Sequence, residues 1–104
     1  MAIDRAATFR SIIAKSPGDP FPRYGLAMEL RSRGELEAAA ASFEELIAAF
    51  PDYVPSYLMA GGVASKLGRT DQARTLFQRG IEVATARGDS HARGELQSAL
   101  AEVA

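Results

Sequence analysis

The chain has 104 residues, with 12 basic and 13 acidic side chains and a formal net charge of −1. This length is that of one domain, and a nearly neutral chain without a concentrated basic face is unsuited to binding nucleic acid through its phosphates. The absence of cysteine excludes a disulfide framework, a cysteine-ligated zinc site and thiol catalysis. With a single histidine as well, we expect neither a metal nor a cofactor.

Hydropathy bears on where the protein is found. No apolar run approaches the roughly 18 residues that span a bilayer. The first residues include an early acid, Asp4, and no long apolar stretch follows it, which is unlike a signal peptide. We therefore expect a cytoplasmic protein that has no membrane partner.

The sequence repeats itself at an interval of 34 residues. Two sets of large apolar residues recur at this interval: Phe9, Phe43 and Phe77, and Ile13, Ile47 and Ile81. Within each interval the apolar residues have helical spacing, as in the stripe formed by Leu36, Ala39 and Phe43. No segment alternates with a period of two, so we predict helices and no strand.

Proline, glycine and capping residues divide this helical pattern into six elements. Asp19 is suited to cap a helix that begins at Pro20, and Thr70 is suited to cap a later one. Gly34 and Gly68 are suited to end helices in the left-handed conformation. Because the connections are short, we expect sequential helices to pack antiparallel. The predicted helices are 4–15, 20–33, 36–49, 54–67, 71–86 and 90–103.

This helix–turn–helix unit resembles the tetratricopeptide repeat (TPR), whose pattern is W-x2-L-G-x2-Y, then A-x3-F, then P. The second half of the pattern is present in the first unit as Ala39, Phe43 and Pro51, and in the second as Ala73 and Phe77, with Thr85 where proline would stand. In the first half, Arg23 stands where the family has an aromatic residue. The resemblance implies an all-α fold, an α–α superhelix that forms a right-handed solenoid.

The resemblance also implies the organisation of the single domain. Residues 1–19 form an N-terminal helix resembling half a repeat, and residues 20–53 and 54–87 form two repeats. Residues 88–104 form a C-terminal capping helix. We expect the three phenylalanines at the 34-residue interval to fill the gaps between successive units. The segments 19–27 and 88–92 resemble the opening and the end of a group of small bacterial tetratricopeptide proteins.

In such an array the first helix of each unit lines the concave side, and the resemblance implies a non-catalytic module that binds a peptide or a partner protein there. The register of the units places eleven residues in this groove: Tyr24, Met28, Arg31 and Ser32; Leu58, Gly62, Ser65 and Lys66; and Ala92, Leu96 and Ala99. The alternative interpretation is that Tyr24 and Met28 simply pack against helix 4–15. The family's carboxylate clamp uses Lys and Asn at positions where this chain has Tyr24, Met28, Leu58 and Gly62, so we expect no clamp.

Polar residues give two further candidates. Arg23 and Glu29 form either a buried ion pair that compensates for the missing aromatic residue or part of a binding surface. His91 falls in the first turn of the last helix, where it is interpreted as an exposed or capping residue. No arrangement of nucleophile and base is recognisable, and we expect no enzyme.

Two alternative functions remain open at this point. The first is a self-associating scaffold, such as a homodimer, because the terminal helices have apolar faces that need cover: Ile12, Ile13, Leu96 and Leu100. The second is a small-molecule binder or an enzyme with a pocket around His91 or Glu29.

Overall fold

The computed structural model describes residues 4–103, and within that range it contains six α-helices and no strand. The prediction of an all-α helical repeat fold is therefore confirmed. Residues 1–3, which enter the prediction that there is no signal peptide, lie outside the described residues, as does residue 104. The helices are α1 (Arg5–Lys15), α2 (Pro20–Ser32), α3 (Leu36–Ala49), α4 (Pro55–Lys66), α5 (Thr70–Ala86) and α6 (Ser90–Glu102).

Local residues set the start of each helix. The Asp19 side chain accepts a hydrogen bond of 3.0 Å from the backbone N–H of Phe21, and Pro20 occupies the first helical position, as predicted. The prediction for Thr70 was wrong. Arg69 is the residue before α5, Thr70 is already helical, and no side chain caps this end.

Two glycines end helices as predicted. Gly34 and Gly68 have φ values of 78° and 77°, a conformation that is costly for residues with a Cβ. The N–H of Glu35 reaches back to the carbonyl of Leu30 at 3.0 Å, and that of Gly34 reaches the carbonyl of Arg31 at 3.0 Å. This paired pattern is the Schellman motif, and it turns the chain sharply into the next helix.

The helices pack in two layers. α2 packs against α3 and α4 packs against α5, while α1 packs against α2 and α6 packs against α5. In addition, α2 contacts α4 and α4 contacts α6, so these three helices form a continuous surface, which we call the α2–α4–α6 face. The described chain measures 43 × 29 × 20 Å, the elongated shape of an array.

Two of the repeated phenylalanines, Phe43 and Phe77, pack within their own helix pairs, whereas Phe9 lies between two units, as was expected for all three. The ring of Phe43 is buried and lies 6.3 Å from the ring of Tyr24, in the first helix of its own pair. The ring of Phe77 lies against Gly61 in the same way. Phe9 lies against Gly25 of the following helix. It is only half-buried, and no helix precedes α1 among the described residues.

The C-terminal helix, α6, is held against α5 by a buried leucine. Leu96 is 1% exposed and packs against Gly80 of α5, where an added Cβ would come within 2.9 Å of the leucine side chain. The expectation that Leu96 lies on an uncovered apolar face was therefore wrong. The physical reason is that Gly80 has no side chain and leaves the space that Leu96 fills.

Candidate functional site

A cavity of about 300 Å³ opens on the α2–α4–α6 face, and we call it the central cavity. It lies where the N-terminal halves of α4 and α6 meet the side of α2. Its apolar lining comes from all three helices and the residue before α4: Tyr24, Val54, Pro55, Leu58, Met59, Ala92 and Leu96. The cavity is therefore a mainly apolar depression that is accessible from one face of the array.

The remaining lining residues are polar and belong to the start of α6. Asp89 caps the helix by accepting a hydrogen bond of 3.0 Å from the N–H of Ala92. His91 Nε2 lies 3.0 Å from Glu95 Oε1, and the His91 side chain is 87% exposed. The two carboxylates make this edge of the central cavity acidic, and His91 lies between them in sequence.

Tyr24 forms one wall of the central cavity. It is half-buried, and its ring packs edge-on against the rings of Phe43, at 6.3 Å, and Tyr53, at 5.7 Å. Burial raises the pKa of the Tyr24 hydroxyl, and the neighbouring Tyr53 adds to this shift. The hydroxyl is therefore neutral at pH 7. The ring is held mainly by aromatic residues of α3 and of the loop before α4, rather than by α1 alone.

A second depression, of about 410 Å³, lies between α1 and α2, and we call it the N-terminal groove. Met28 and Ser32, which were predicted for the concave site, line this groove and not the central cavity. Tyr24 is shared by the two depressions. The lining consists of Arg5 and Phe9 from α1 and of Phe21, Tyr24, Gly25, Met28, Glu29 and Ser32 from α2.

Of the other residues predicted for the concave site, some line the central cavity and others line neither depression. Leu58 lines the central cavity together with Tyr24. Four residues line neither depression: Arg31 and Gly62, which are half-buried, and Ser65 and Lys66, which are exposed at the end of α4. On α6, Ala92 and Leu96 line the central cavity and Ala99 does not.

Several lining residues were missed by the sequence analysis, namely Val54, Pro55, Met59, Asp89 and Glu95. A signal was present, because Val54 and Leu58 are four residues apart, and so are Pro55 and Met59. This spacing places two adjacent apolar rows on one side of α4. The predicted register began at Leu58 and therefore left out Val54, Pro55 and Met59.

Arg23 and Glu29 do not form the buried ion pair that was one of the two hypotheses for them. Neither residue takes part in a salt bridge within residues 4–103. The Nε atom of Arg23 is buried and has no hydrogen-bond partner in the same range. Arg23 is thus half-buried without an acidic partner among these residues.

Two further observations concern sites of other kinds. The described part of the chain has no cluster of three or more His, Asp or Glu side chains that could hold a metal ion. None of its helices combines the length and the apolar character needed to cross a membrane.

Stacked pairs of helices with a shared surface of first helices define a helical-repeat protein. A family model described as tetratricopeptide repeat matches residues 30–101. The chain belongs to the tetratricopeptide repeat family, which confirms the resemblance seen in the sequence. This family generally provides protein-interaction modules and is typically non-catalytic.

Solved structures agree with this assignment. The solution structure of a tetratricopeptide repeat domain protein from Salinibacter ruber is 41% identical, with a TM-score of 0.79, over 84% of this chain and 88% of that one. A crystal structure of a tetratricopeptide repeat domain protein from Salinibacter ruber is also 41% identical, with a TM-score of 0.78, over 82% of this chain and 96% of that one. A Bordetella parapertussis protein shares the fold at 20% identity, with a TM-score of 0.83, over 98% of this chain and 89% of that one. No curated protein matches the chain.

Proposed function

We propose that this chain is a non-catalytic protein-interaction module that binds a peptide of a partner protein on the α2–α4–α6 face. The observation that carries the proposal is the central cavity, whose apolar lining is open to one side of the array. Its volume of about 300 Å³ lies at the lower end of the range for binding sites. It is suited to one large apolar side chain, which would anchor the peptide as a buried residue does at other interfaces.

Charges beside the cavity favour a particular peptide sequence. Asp89 and Glu95 line the cavity at the start of α6, so a lysine or arginine next to the apolar anchor would meet a carboxylate. Arg31 and Lys66 lie in the last turns of α2 and α4, at the other ends of their helices. We therefore propose a peptide with an apolar anchor, an adjacent basic residue and an acidic residue further along.

The proposed anchor is tested by selecting peptides from a displayed library on the immobilised protein and measuring the affinity of the enriched sequences by calorimetry. Leu58→Asp puts a carboxylate into the apolar lining, and we expect it to weaken binding by about tenfold or more, which is about 1.4 kcal/mol. The matched control is Ala41→Asp, at an exposed position of α3 outside the central cavity. Enriched peptides that bind Leu58→Asp as tightly as the wild type would contradict the assignment of the site.

The charge preference has its own test. Glu95→Lys removes a carboxylate from the cavity edge, and we expect selection on this variant to lose its preference for a basic residue beside the anchor. The control is Glu45→Lys, which makes the same change at an exposed position of α3. If both variants enrich the same peptides as the wild type, the acidic edge has no part in recognition.

A further inference from the structure

The two ends of the array differ in the residues that they expose. The exposed residues of α6 are all polar or small, which is typical of a helix that caps a repeat array: Ser90, His91, Arg93, Gly94, Glu95, Gln97, Ser98, Ala101 and Glu102. At the other end, Phe21 is 63% exposed and Ile12 is 40% exposed. These two are the exposed large hydrophobic residues of the described chain. Among the described residues, α6 therefore has the polar surface of a capping helix, whereas the N-terminal helices α1 and α2 expose apolar side chains.

The 34-residue interval places the half-buried Phe9 in register with two buried phenylalanines. Phe43 and Phe77 are covered by α2 and α4, the first helices of their pairs, and are buried. Phe9 holds the equivalent position in α1 but is only half-buried, because no first helix precedes α1 in the described chain. The N-terminal groove, of about 410 Å³, lies along this uncovered side of α1 and α2.

The groove has one charge of each sign on its two helices. Arg5 on α1 is exposed and Glu29 on α2 is half-buried, and neither has a salt-bridge partner within residues 4–103. The nearby cation Arg33 is already engaged, since its Nη2 lies 2.8 Å from Asp4 Oδ1. In a two-fold dimer, residue i of one copy meets residue j of the other and the reverse. A groove with a cation on one wall and an anion on the other is complementary to itself in such an arrangement.

We propose that two copies of this chain associate through their N-terminal grooves about a two-fold axis. Phe21 of each copy covers the apolar floor of the other groove, formed by Phe9, Gly25 and Met28. Arg5 of each copy pairs with the partner's Glu29. Because the patch is small, the dimer is a weak one, with a dissociation constant of about 100 µM. The interface is separate from most of the central cavity, so it does not depend on the peptide-binding proposal.

The first test is the molar mass in solution, measured by sedimentation equilibrium from about 10 to about 500 µM, a range that lies on both sides of this constant. The wild-type mass rises with concentration from the monomer value of 11.1 kDa towards twice that value. Phe21→Ser, Arg5→Glu and Glu29→Arg each raise the dissociation constant about tenfold or more. The control Arg10→Glu makes the same charge change on α1 outside the groove and leaves the mass unchanged.

The second test mixes the two charge variants, each of which is checked for wild-type helical content by circular dichroism. Arg5→Glu and Glu29→Arg are monomeric alone, but an equimolar mixture forms a heterodimer, because both of its Arg–Glu contacts are again between opposite charges. The intramolecular effect of either substitution cannot produce this gain in mass. A wild-type protein that stays monomeric at every concentration, or a mixture that does, overturns the proposal.

Discussion

Two neighbouring glycines in α4 show how one atom decides close packing. Gly61 is buried, and the ring of Phe77 occupies the space that a Cβ at this position would need. Gly62 faces open space, and an added Cβ there would meet nothing within 4 Å. Gly61 stands one 34-residue interval after another small residue, Ala27, so the repeat itself indicates a position where two helices approach closely. The roles of Gly25 and Gly80 were not predicted, because the first has no small counterpart at that interval and the second depends on where Leu96 lies.

The two glycines give opposite predictions for the same substitution. Gly61→Ala should destabilise the fold by about 1–3 kcal/mol, since the Phe77 ring has to move. Gly62→Ala should stabilise it by about 0.5–1 kcal/mol, because alanine loses less backbone entropy in a helix and finds free space here. Both are measured by urea unfolding followed by circular dichroism. Shifts of the same sign for the two variants would show that helix propensity alone governs these positions.

Helix ends were predicted well where the backbone of glycine or the ring of proline sets them. The prediction was less good at Thr70, where it depended on a side-chain hydrogen bond. Glycine adopts a positive φ because it has no Cβ, and the ring of proline fixes φ at a helical value. Gly34, Gly68 and Pro20 were each predicted correctly as residues at helix ends. Thr70 has a hydroxyl that is able to cap but is also tolerated inside the first turn. The choice between these two depends on how the loop leaves Gly68, which a single sequence does not reveal.

This difference can be measured as the free energy of capping. Asp19→Ala removes the acceptor for the Phe21 N–H and should cost about 0.5–2 kcal/mol of stability. Thr70→Ala removes a hydroxyl that caps nothing and should change stability by about 0.5 kcal/mol or less. Thermal unfolding of both variants beside the wild type gives the comparison. A loss for Thr70→Ala as large as that for Asp19→Ala would restore threonine as the capping residue.

The position of the central cavity was predictable in part at the scale of elements. The repeat register identified α2, α4 and α6 as the lining helices and placed Tyr24 and Leu58 on the α2–α4–α6 face, where they line the central cavity. The same register placed Ser65 and Lys66 there, although they lie beyond the cavity at the end of α4. Where a depression opens along a helix depends on the distances between helices, and these follow from tertiary packing rather than from spacing within one helix.

Across the whole molecule, the helices differ in how many neighbours hold them. Within residues 4–103, α4 packs against four other helices, α2, α3, α5 and α6, whereas α1 packs against α2 alone. A further link is the ion pair of Asp4, the N-cap residue of α1, with Arg33, which lowers the pKa of the Asp4 carboxyl. Both side chains are exposed, so this pair adds little to stability. Its contribution is present above the ordinary aspartate pKa of 3.8 and is lost as the pH falls through the lower folded-state value.

Hydrogen exchange should reveal this gradient in stability. We expect the amides of α1 to exchange fastest among the six helices and those of α4 and α5 slowest, because local opening depends on the contacts that are broken. Arg33→Gln should speed exchange in α1 further and leave α5 unchanged. Mass spectrometry of peptic fragments resolves the helices, and measurement below about 10 µM keeps a weak dimer from adding protection. Equal protection of α1 and α5 would contradict the gradient.

The unlike termini also give the array a direction for engineered extension. A further 34-residue module fused ahead of Arg5 would meet Phe9, Ile12 and Phe21, which already form an apolar surface on which it could pack. A module fused behind Val103 would instead lie over the hydrophilic flank of α6, and charged groups such as Glu95 would first have to be exchanged. Lengthening this scaffold is therefore simpler towards its beginning than towards its end.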